Sequence, residues 1–150
     1  MMINTTVSAI KVSNAKEVVE ILKKHKKVAL FLGPNVDEET IEFAKKLKNL
    51  GIKLFVSCSS SKFFNDFACT SLVKAAHEIK EKKEFDLIIF IGIKRFFSAK
   101  LISILKPSDI KTIDLSGKYQ EHADYSFPDL GKRERKKMLE EILKIMGAKA

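Results

Sequence analysis

The segment FDLIIFI, residues 85–91, is the most apolar stretch of the chain, and it ends at Gly92. A strand that is covered on both faces is apolar almost without interruption, whereas a strand with one wet face alternates apolar and polar residues. This segment therefore predicts a strand in the interior of a sheet. VALFL, residues 28–32, has the same pattern and ends at Gly33.

Helical patterns alternate with these strands. Asn14 and Glu17 have the spacing of a capping box and open a helix that ends in a lysine-rich segment. Asp37, followed by two glutamates, opens a second helix, which stops at Gly51. Further strands are predicted at 52–56, 110–115 and 123–127, and further helices at about 68–82, 98–105 and 133–146.

This alternation predicts a single α/β domain over residues 1–150, Rossmann-like, with a mostly parallel sheet between two layers of helices. Residues 1–13 are expected to be a loosely ordered N-terminal segment. Ligands of such sheets bind beyond the carboxyl ends of the strands, beside the N-termini of helices. The loops predicted at that edge are 33–37, 57–61, 92–95 and 114–119.

The composition excludes several classes of protein. Apolar residues make up 45% and charged residues 31% of the chain, as in ordinary globular domains. No apolar run reaches the roughly 18 residues that span a bilayer, and no secretory signal pattern precedes residue 14, so we expect a cytoplasmic protein that does not contact a membrane. Cys58 and Cys69 are too few for a disulfide framework, a structural zinc site or an iron–sulfur cluster, so no metal ligands are predicted.

The net charge of +9 raises the question of nucleic-acid binding, but the charge is spread evenly. Residues 1–75 carry a net +5 and residues 76–150 a net +4. Arg95, Arg133 and Arg135 are the only arginines, and arginine is the side chain that best recognises bases and phosphates. The sequence therefore predicts no nucleic-acid partner.

The residues best placed to contact a nucleotide follow the predicted strands. They are Gly33, Pro34, Ser59, Ser60, Gly92, Lys94, Arg95 and Asp114. Gly33 and Pro34 lack the further glycines of a dinucleotide-binding loop, so an ordinary turn explains them as well. The serine pair suits an anion or a solvated turn.

The other candidates also have two interpretations each. Lys94 and Arg95, followed by Phe96 and Phe97, suit a nucleotide or partner contact, or the ordinary packing of a helix start. Asp114 suits hydrogen bonds from a ribose, or a cap on the following turn. No histidine lies beside a nucleophile, and the paired glutamates belong to solvated helix faces, so no catalytic residue is predicted.

Several local strings resemble the epsilon subunits of the archaeal acetyl-CoA decarbonylase/synthase complex. They are VALFLG at 28–33, the acidic helix start at 37–39, FDLIIFIGIKRFF at 85–97, the strand end at 113–114 and ADYSFPDL at 123–130. The glycine, basic pair and aromatic pair that follow the 85–91 strand, together with ADYSFPDL, are the specific part of the resemblance. It extends from about residue 14 to residue 146.

This resemblance implies the NAD/FAD-binding fold of deoxyhypusine synthase, which also occurs as the central domain of thiamine-diphosphate enzymes. It implies a non-catalytic subunit of the carbon monoxide dehydrogenase component, paired with the large Ni-Fe-S alpha subunit as α2ε2. That complex cleaves or forms acetyl-CoA in methanogenesis and one-carbon metabolism. The small subunit stabilises the component or helps electrons to reach FAD, and it holds no tightly bound cofactor, although FAD is a candidate ligand.

Two alternatives stay open: a free-standing FAD- or NAD-binding α/β protein, and a relative of the central domain of thiamine-diphosphate enzymes. The subunit hypothesis predicts an exposed apolar patch for the partner, and such a patch would also permit self-association. The residues predicted to form it are Phe63, Phe64, Phe67, Phe96 and Phe97.

Overall fold

The structure of the protein is a computed structural model that describes residues 8–57 and 71–147. Within these ranges, six strands form one sheet in the order β1-β6-β5-β4-β2-β3, and every neighbouring pair is parallel. The strands are β1 (Ile10–Lys11), β2 (Val28–Leu32), β3 (Lys53–Val56), β4 (Leu87–Ile91), β5 (Lys111–Asp114) and β6 (Tyr125–Ser126). The helices are α1 (Ala15–Lys24), α2 (Glu38–Asn49), α3 (Leu72–Lys82), α4 (Arg95–Leu105), followed by a 3-10 turn at Lys106–Ser108, and α5 (Lys132–Ile145).

The two apolar strands predicted as interior strands are the middle of the sheet. All five residues of β4 are buried, and β4 lies between β2 and β5. Successive side chains of a strand point to opposite faces, so each of these strands supplies both sides of the core. Leu30 and Ile89 pack with α1, α2 and α5, whereas Phe31 and Phe90 pack with α3 and α4. The predicted three-layer α/β fold is confirmed, and the described sheet is parallel throughout.

The predicted helix starts at Asn14 and Asp37 are confirmed by their hydrogen bonds. The Asn14 carboxamide accepts a hydrogen bond from the backbone N–H of Glu17 at 2.9 Å, and the Glu17 carboxylate accepts one from the N–H of Ser13 at 3.0 Å. Asp37 accepts a hydrogen bond from the N–H of Thr40 at 2.9 Å. Side-chain oxygens thus satisfy N–H groups that a helix start leaves without partners.

Helix α4 begins at Arg95, three residues before the predicted start at residue 98. The basic and aromatic pairs therefore lie on a helix or at its cap instead of in a loop. The N–H groups of Phe97 and Ser98 both donate to the carbonyl of Lys94, at 3.0 and 2.9 Å, which closes the first turn. The predicted helix at about 68–82 is observed from Leu72, and residues 68–70 lie outside the described residues.

Strand β1 lies in a part of the chain for which the sequence predicts no strand. The N–H of Ile10 donates to the carbonyl of Asp124 at 3.0 Å, and the N–H of Val12 donates to that of Ser126 at 2.9 Å. A strand of two residues is too short to show an alternation of apolar and polar residues in the sequence. It is recognised only by its hydrogen bonds to β6. It adds an edge strand to the sheet.

The chain order of the strands creates a switch point between β2 and β4. From β2 the chain passes through α2 to β3 on one side, and it then returns through α3, on the opposite face, to β4 on the other side. In open α/β sheets, a crevice at such a point, beyond the carboxyl strand ends, is where ligands bind. No helix among the described residues is both long and apolar enough to cross a membrane.

Candidate functional site

A cleft of about 610 Å³ lies at the carboxyl edge of the sheet, at this switch point. Four segments form its walls: the loop after β2, the loop after β4 with the first residue of α4, the loop after β5, and the start of α5. The lining residues are Asn35, Asp37, Gly92, Ile93, Lys94, Arg95, Asp114, Ser116, Gly117, Lys118, Leu130, Gly131, Lys132 and Arg135. The volume falls within the range of small-molecule sites.

Two glycines bring the loops after β2 and β4 into contact. A Cβ atom on Gly33 would lie 2.5 Å from the carbonyl oxygen of Gly92, and Gly92 itself has a φ of +72°. The N–H of Gly33 donates to the carbonyl of Ile91 at 3.0 Å, and that of Asn35 donates to the carbonyl of Gly92 at 2.9 Å. Both glycines are thus required by the close approach of two backbones.

Asp114, the last residue of β5, supplies a buried carboxyl to the cleft. The residue is only 2% exposed, and its Oδ1 accepts a hydrogen bond from the N–H of Ser116 at 2.8 Å. Burial raises the pKa of this carboxyl to about 6, although hydrogen bonding from Ser116 and Ser98 opposes the increase. The group is therefore able to change its protonation state near neutral pH.

Ser116 contributes a second polar group beside this carboxyl. Its hydroxyl oxygen is buried, and no described residue meets it with full hydrogen-bond geometry. The same hydroxyl is one of the groups that lower the pKa of Asp114, so the two side chains form one polar pair in the cleft.

Asp37, Thr40 and Arg135 form a compact polar cluster, of which Asp37 and Arg135 line the cleft. Arg135 donates to Asp37 Oδ2 at 2.7 Å and to the Thr40 hydroxyl at 2.8 Å. Burial alone would raise the pKa of Asp37, but hydrogen bonds from Thr40 and the charge of Arg135 together hold that pKa below its usual value. The N-terminus of α2 thus already has a carboxylate, which occupies the position that an anionic ligand would otherwise take.

The rim of the cleft carries positive charge. Lys94, Lys118 and Lys132 are exposed at its rim, and none of the three forms an ion pair with another described residue. Arg95 pairs with Glu121 at 2.9 Å. Helix α4 has neither a side-chain cap nor an acidic residue in its first turn, so its positive end is not compensated within the helix.

The structure brings four of the predicted nucleotide-contact residues together at the cleft. They are Gly92, Lys94, Arg95 and Asp114. Gly33 is buried against Gly92 and does not line the cleft, and Pro34 is exposed next to it. Ser59 and Ser60 lie outside the described residues. A cofactor role for these residues stays a prediction.

The wall formed by the start of α5 was not predicted from the sequence. Leu130, Gly131, Lys132 and Arg135 line the cleft because α5 begins at the same edge of the sheet as α2 and α4. Gly131 directly before a helix, after a short strand, is the signal that could have located this wall. Among the described residues, no group of three or more His, Cys, Asp or Glu side chains has an arrangement suited to a metal ion.

The chain is similar to known proteins over most of its length. The family profile described as "CO dehydrogenase beta subunit/acetyl-CoA synthase epsilon subunit" matches residues 2–143. The acetyl-CoA decarbonylase/synthase complex subunit epsilon 1 of Archaeoglobus fulgidus is 29% identical over 147 residues, covering 85% of this chain and 80% of that protein. The corresponding epsilon subunit of Methanocaldococcus jannaschii is 29% identical over 124 residues, covering 82% of this chain and 79% of that protein.

Proposed function

The chain belongs to the CO dehydrogenase beta subunit/acetyl-CoA synthase epsilon subunit family, and on this basis we propose that it is the small, non-catalytic subunit of an acetyl-CoA decarbonylase/synthase complex. The observation that carries the proposal is the extent of the match. It covers nearly the whole chain, and the chain in turn covers about four fifths of each relative, so the likeness extends over most of the length of both proteins.

The proposed partner is the large Ni-Fe-S carbon monoxide dehydrogenase subunit, in an α2ε2 arrangement in the cytoplasm. In this assembly the small subunit stabilises the large one, or helps its electrons to reach FAD. Cations that no described residue neutralises surround the cleft, and an exposed aromatic side chain, Phe96, lies beside it. These features are typical of a protein that meets an acidic partner surface or an anionic ligand.

We propose part of an FAD or NAD molecule as the ligand of the cleft. Asp114 could accept hydrogen bonds from a ribose, and Lys94, Lys118 and Lys132 could neutralise phosphates. The flavin ring is less well matched, since Ile93 and Leu130 are the apolar side chains among the described lining residues. Bound FAD would supply a two-electron acceptor that the twenty ordinary side chains cannot provide.

Co-expression of the tagged chain with the large subunit from the same source, under anaerobic conditions, tests the subunit proposal. Size-exclusion chromatography should then give one stoichiometric complex that survives 0.15 M salt. The rate of CO oxidation with FAD as the acceptor, measured with and without the small subunit, tests its role in electron transfer. Separate elution of the two chains at low salt would overturn the proposal.

A free-standing nucleotide-binding protein is the second candidate function. The position of the cleft at the switch point and the buried carboxyl of Asp114 favour it. It predicts that the isolated chain binds FAD or NAD with at least micromolar affinity, and that Asp114→Ala weakens this binding. Calorimetric titration that detects no heat with either nucleotide would remove this candidate. The alternative that the chain is related to the central domain of thiamine-diphosphate enzymes concerns only its fold. It predicts no activity.

A further inference from the structure

Phe96 is the most exposed large apolar side chain of the described residues, at 75%. It lies in the first turn of α4, beside a groove of about 460 Å³ between this helix and the segment 120–122. Phe96 therefore keeps most of its apolar surface in water, and it gains little stability from burial within the chain. Phe97, the next residue, packs partly into the core, so the prediction that it belongs to an exposed apolar patch is wrong. The other residues predicted for that patch, Phe63, Phe64 and Phe67, lie outside the described residues.

The start of α4 carries positive charges, whereas a helix is stabilised by negative charge at this end. Lys94 is the cap residue and Arg95 the first helical residue, both next to the positive end of the helix dipole. Cations there destabilise a helix, whereas an aspartate or serine would stabilise it, as in α2. Residues that reduce the stability of the fold are often found at functional surfaces.

The groove beside Phe96 is held rigid by a buried glutamine. The Gln120 amide group donates to the Ser98 hydroxyl at 2.6 Å and to the Arg95 carbonyl at 2.7 Å. The backbone N–H of Gln120 donates to the Ser126 hydroxyl at 2.9 Å, which fixes the same segment to β6. A partner that binds here meets a preorganised surface and loses little conformational entropy in ordering it.

We propose that Lys94, Arg95, Phe96, Lys118 and Lys132 form one docking surface, here called the α4 surface, for an acidic face of the large subunit with an apolar pocket for Phe96. This inference rests on the subunit function proposed above. Phe96 does not line the large cleft, so a nucleotide in that cleft would leave its ring exposed. Arg95 already pairs with Glu121, whereas Lys94, Lys118 and Lys132 form no ion pair with another described residue. An aromatic anchor with such charges at its rim suits an interface with an acidic partner.

Paired substitutions test the apolar part of the surface. Phe96→Ser should weaken the affinity for the purified large subunit by at least about tenfold, the effect of losing roughly 1.4 kcal/mol of binding free energy. The matched control is Ile145→Ser, because Ile145 is also an exposed apolar residue, 45% exposed, near the end of α5. Thermal unfolding of each variant verifies that both fold.

Charge reversals test the cationic part of the surface. Lys94→Glu and Lys118→Glu should each weaken the affinity several-fold at 0.1 M salt, whereas Lys16→Glu should not. Lys16 is exposed on α1 and its reversal changes the net charge by the same amount. Adding 5 mM FAD or inorganic phosphate to the wild-type complex measures whether a small anion occupies the same place.

The possible outcomes separate the two proposals. If the wild-type chain and Phe96→Ser bind the large subunit equally well, the proposal that the α4 surface is the docking surface fails. The proposed subunit function is then still supported. If only the lysine reversals weaken binding, and phosphate or FAD displaces the partner, the apolar anchor is wrong and the cleft is an anion site. If the wild-type chain does not bind at all, both proposals fail.

Discussion

At the scale of single residues, Asp114 is the group whose chemistry the fold changes most. Burial raises its pKa from the ordinary 3.8 to about 6, since the charged form loses its hydration. Between about pH 4 and 6 the folded chain therefore holds a proton that the unfolded chain has lost. The stability that this proton contributes is complete below about pH 4 and is lost as the pH rises to about 6.

Asp114→Asn should remove this pH dependence. The free energy of unfolding of the wild type should fall, relative to that of the variant, by on the order of 3 kcal/mol between pH 4 and 6.5, because two pKa units correspond to about that energy. Urea unfolding at a series of pH values measures the difference. Asp37 and Asp86, whose pKa values are lowered, are present in both chains and cancel in the comparison.

The exposed Asp109 provides the control for this measurement. Asp109→Asn removes one carboxyl outside the cleft, so it shows how much of the change in stability comes from the loss of a negative charge alone. Equal pH profiles for the wild type and Asp114→Asn would show that the carboxyl is hydrated in solution, contrary to its burial in the structure.

Gly33→Ala should destabilise the fold by about 3 kcal/mol, in the range measured for overpacked interiors. The new methyl group would lie 2.5 Å from both the Gly92 carbonyl oxygen and the Ile93 side chain, so two loops of the cleft would have to separate. Gly131→Ala is the control, since its Cβ would meet only the flexible end of Glu134 at 3.2 Å. Chemical denaturation should give a change below about 1 kcal/mol for that control, and equal effects would contradict the tight contact.

At the scale of secondary-structure elements, the connection from β5 to β6 matters most for the candidate site. Its residues reach both the cleft, through Ser116 to Lys118, and the groove beside Phe96, through Gln120 to His122. Hydrogen bonds of Gln120 fasten it to α4 and β6. The cleft and the α4 surface therefore share one supporting element.

Gln120→Ala should destabilise the chain by about 2 kcal/mol, because it removes both hydrogen bonds of the Gln120 amide. The buried Ser98 hydroxyl loses this donor, whereas the Arg95 carbonyl still accepts a hydrogen bond from Ser98 at 3.1 Å. Hydrogen exchange should increase at residues 116–124 before it does in β4. His122→Ala, at an exposed neighbouring side chain, should change the stability by less than about 0.5 kcal/mol. Unaltered exchange in Gln120→Ala would show that the segment is held by other contacts.

At the scale of the whole molecule, the net charge of +9 attracts an acidic partner. Long-range attraction between opposite charges raises association rates, and salt screens it. The α4 surface should therefore control the rate of association through its lysines, and the lifetime of the complex through Phe96.

Raising NaCl from 50 to 500 mM should slow association with the large subunit by about tenfold or more, while dissociation changes far less. Stopped-flow fluorescence with a labelled large subunit measures both rates. Combining Lys94→Glu with Lys118→Glu should reduce the salt dependence, and Phe96→Ser should accelerate dissociation without altering that dependence. An association rate that does not depend on salt would argue against electrostatic steering.

The sequence by itself determined the α/β class, because FDLIIFI and VALFL are apolar without interruption and strands of this kind need helices on both faces. It also determined the starts of α1 and α2, since Asn14 and Asp37 bind N–H groups within three residues of themselves. These features depend on local chemistry. The strings that carry the family resemblance are local in the same sense.

Only the tertiary structure decided which residues meet at the cleft. The pKa of Asp114 is raised because the packed chain buries its carboxyl. The start of α5 reaches the cleft because α5 begins at the same edge of the sheet as α2 and α4. Strand β1 likewise depends on a partner that lies more than a hundred residues away. The burial of Asp114 and the meeting of distant segments at the cleft arise only when the chain is packed, so no local sequence pattern predicts them.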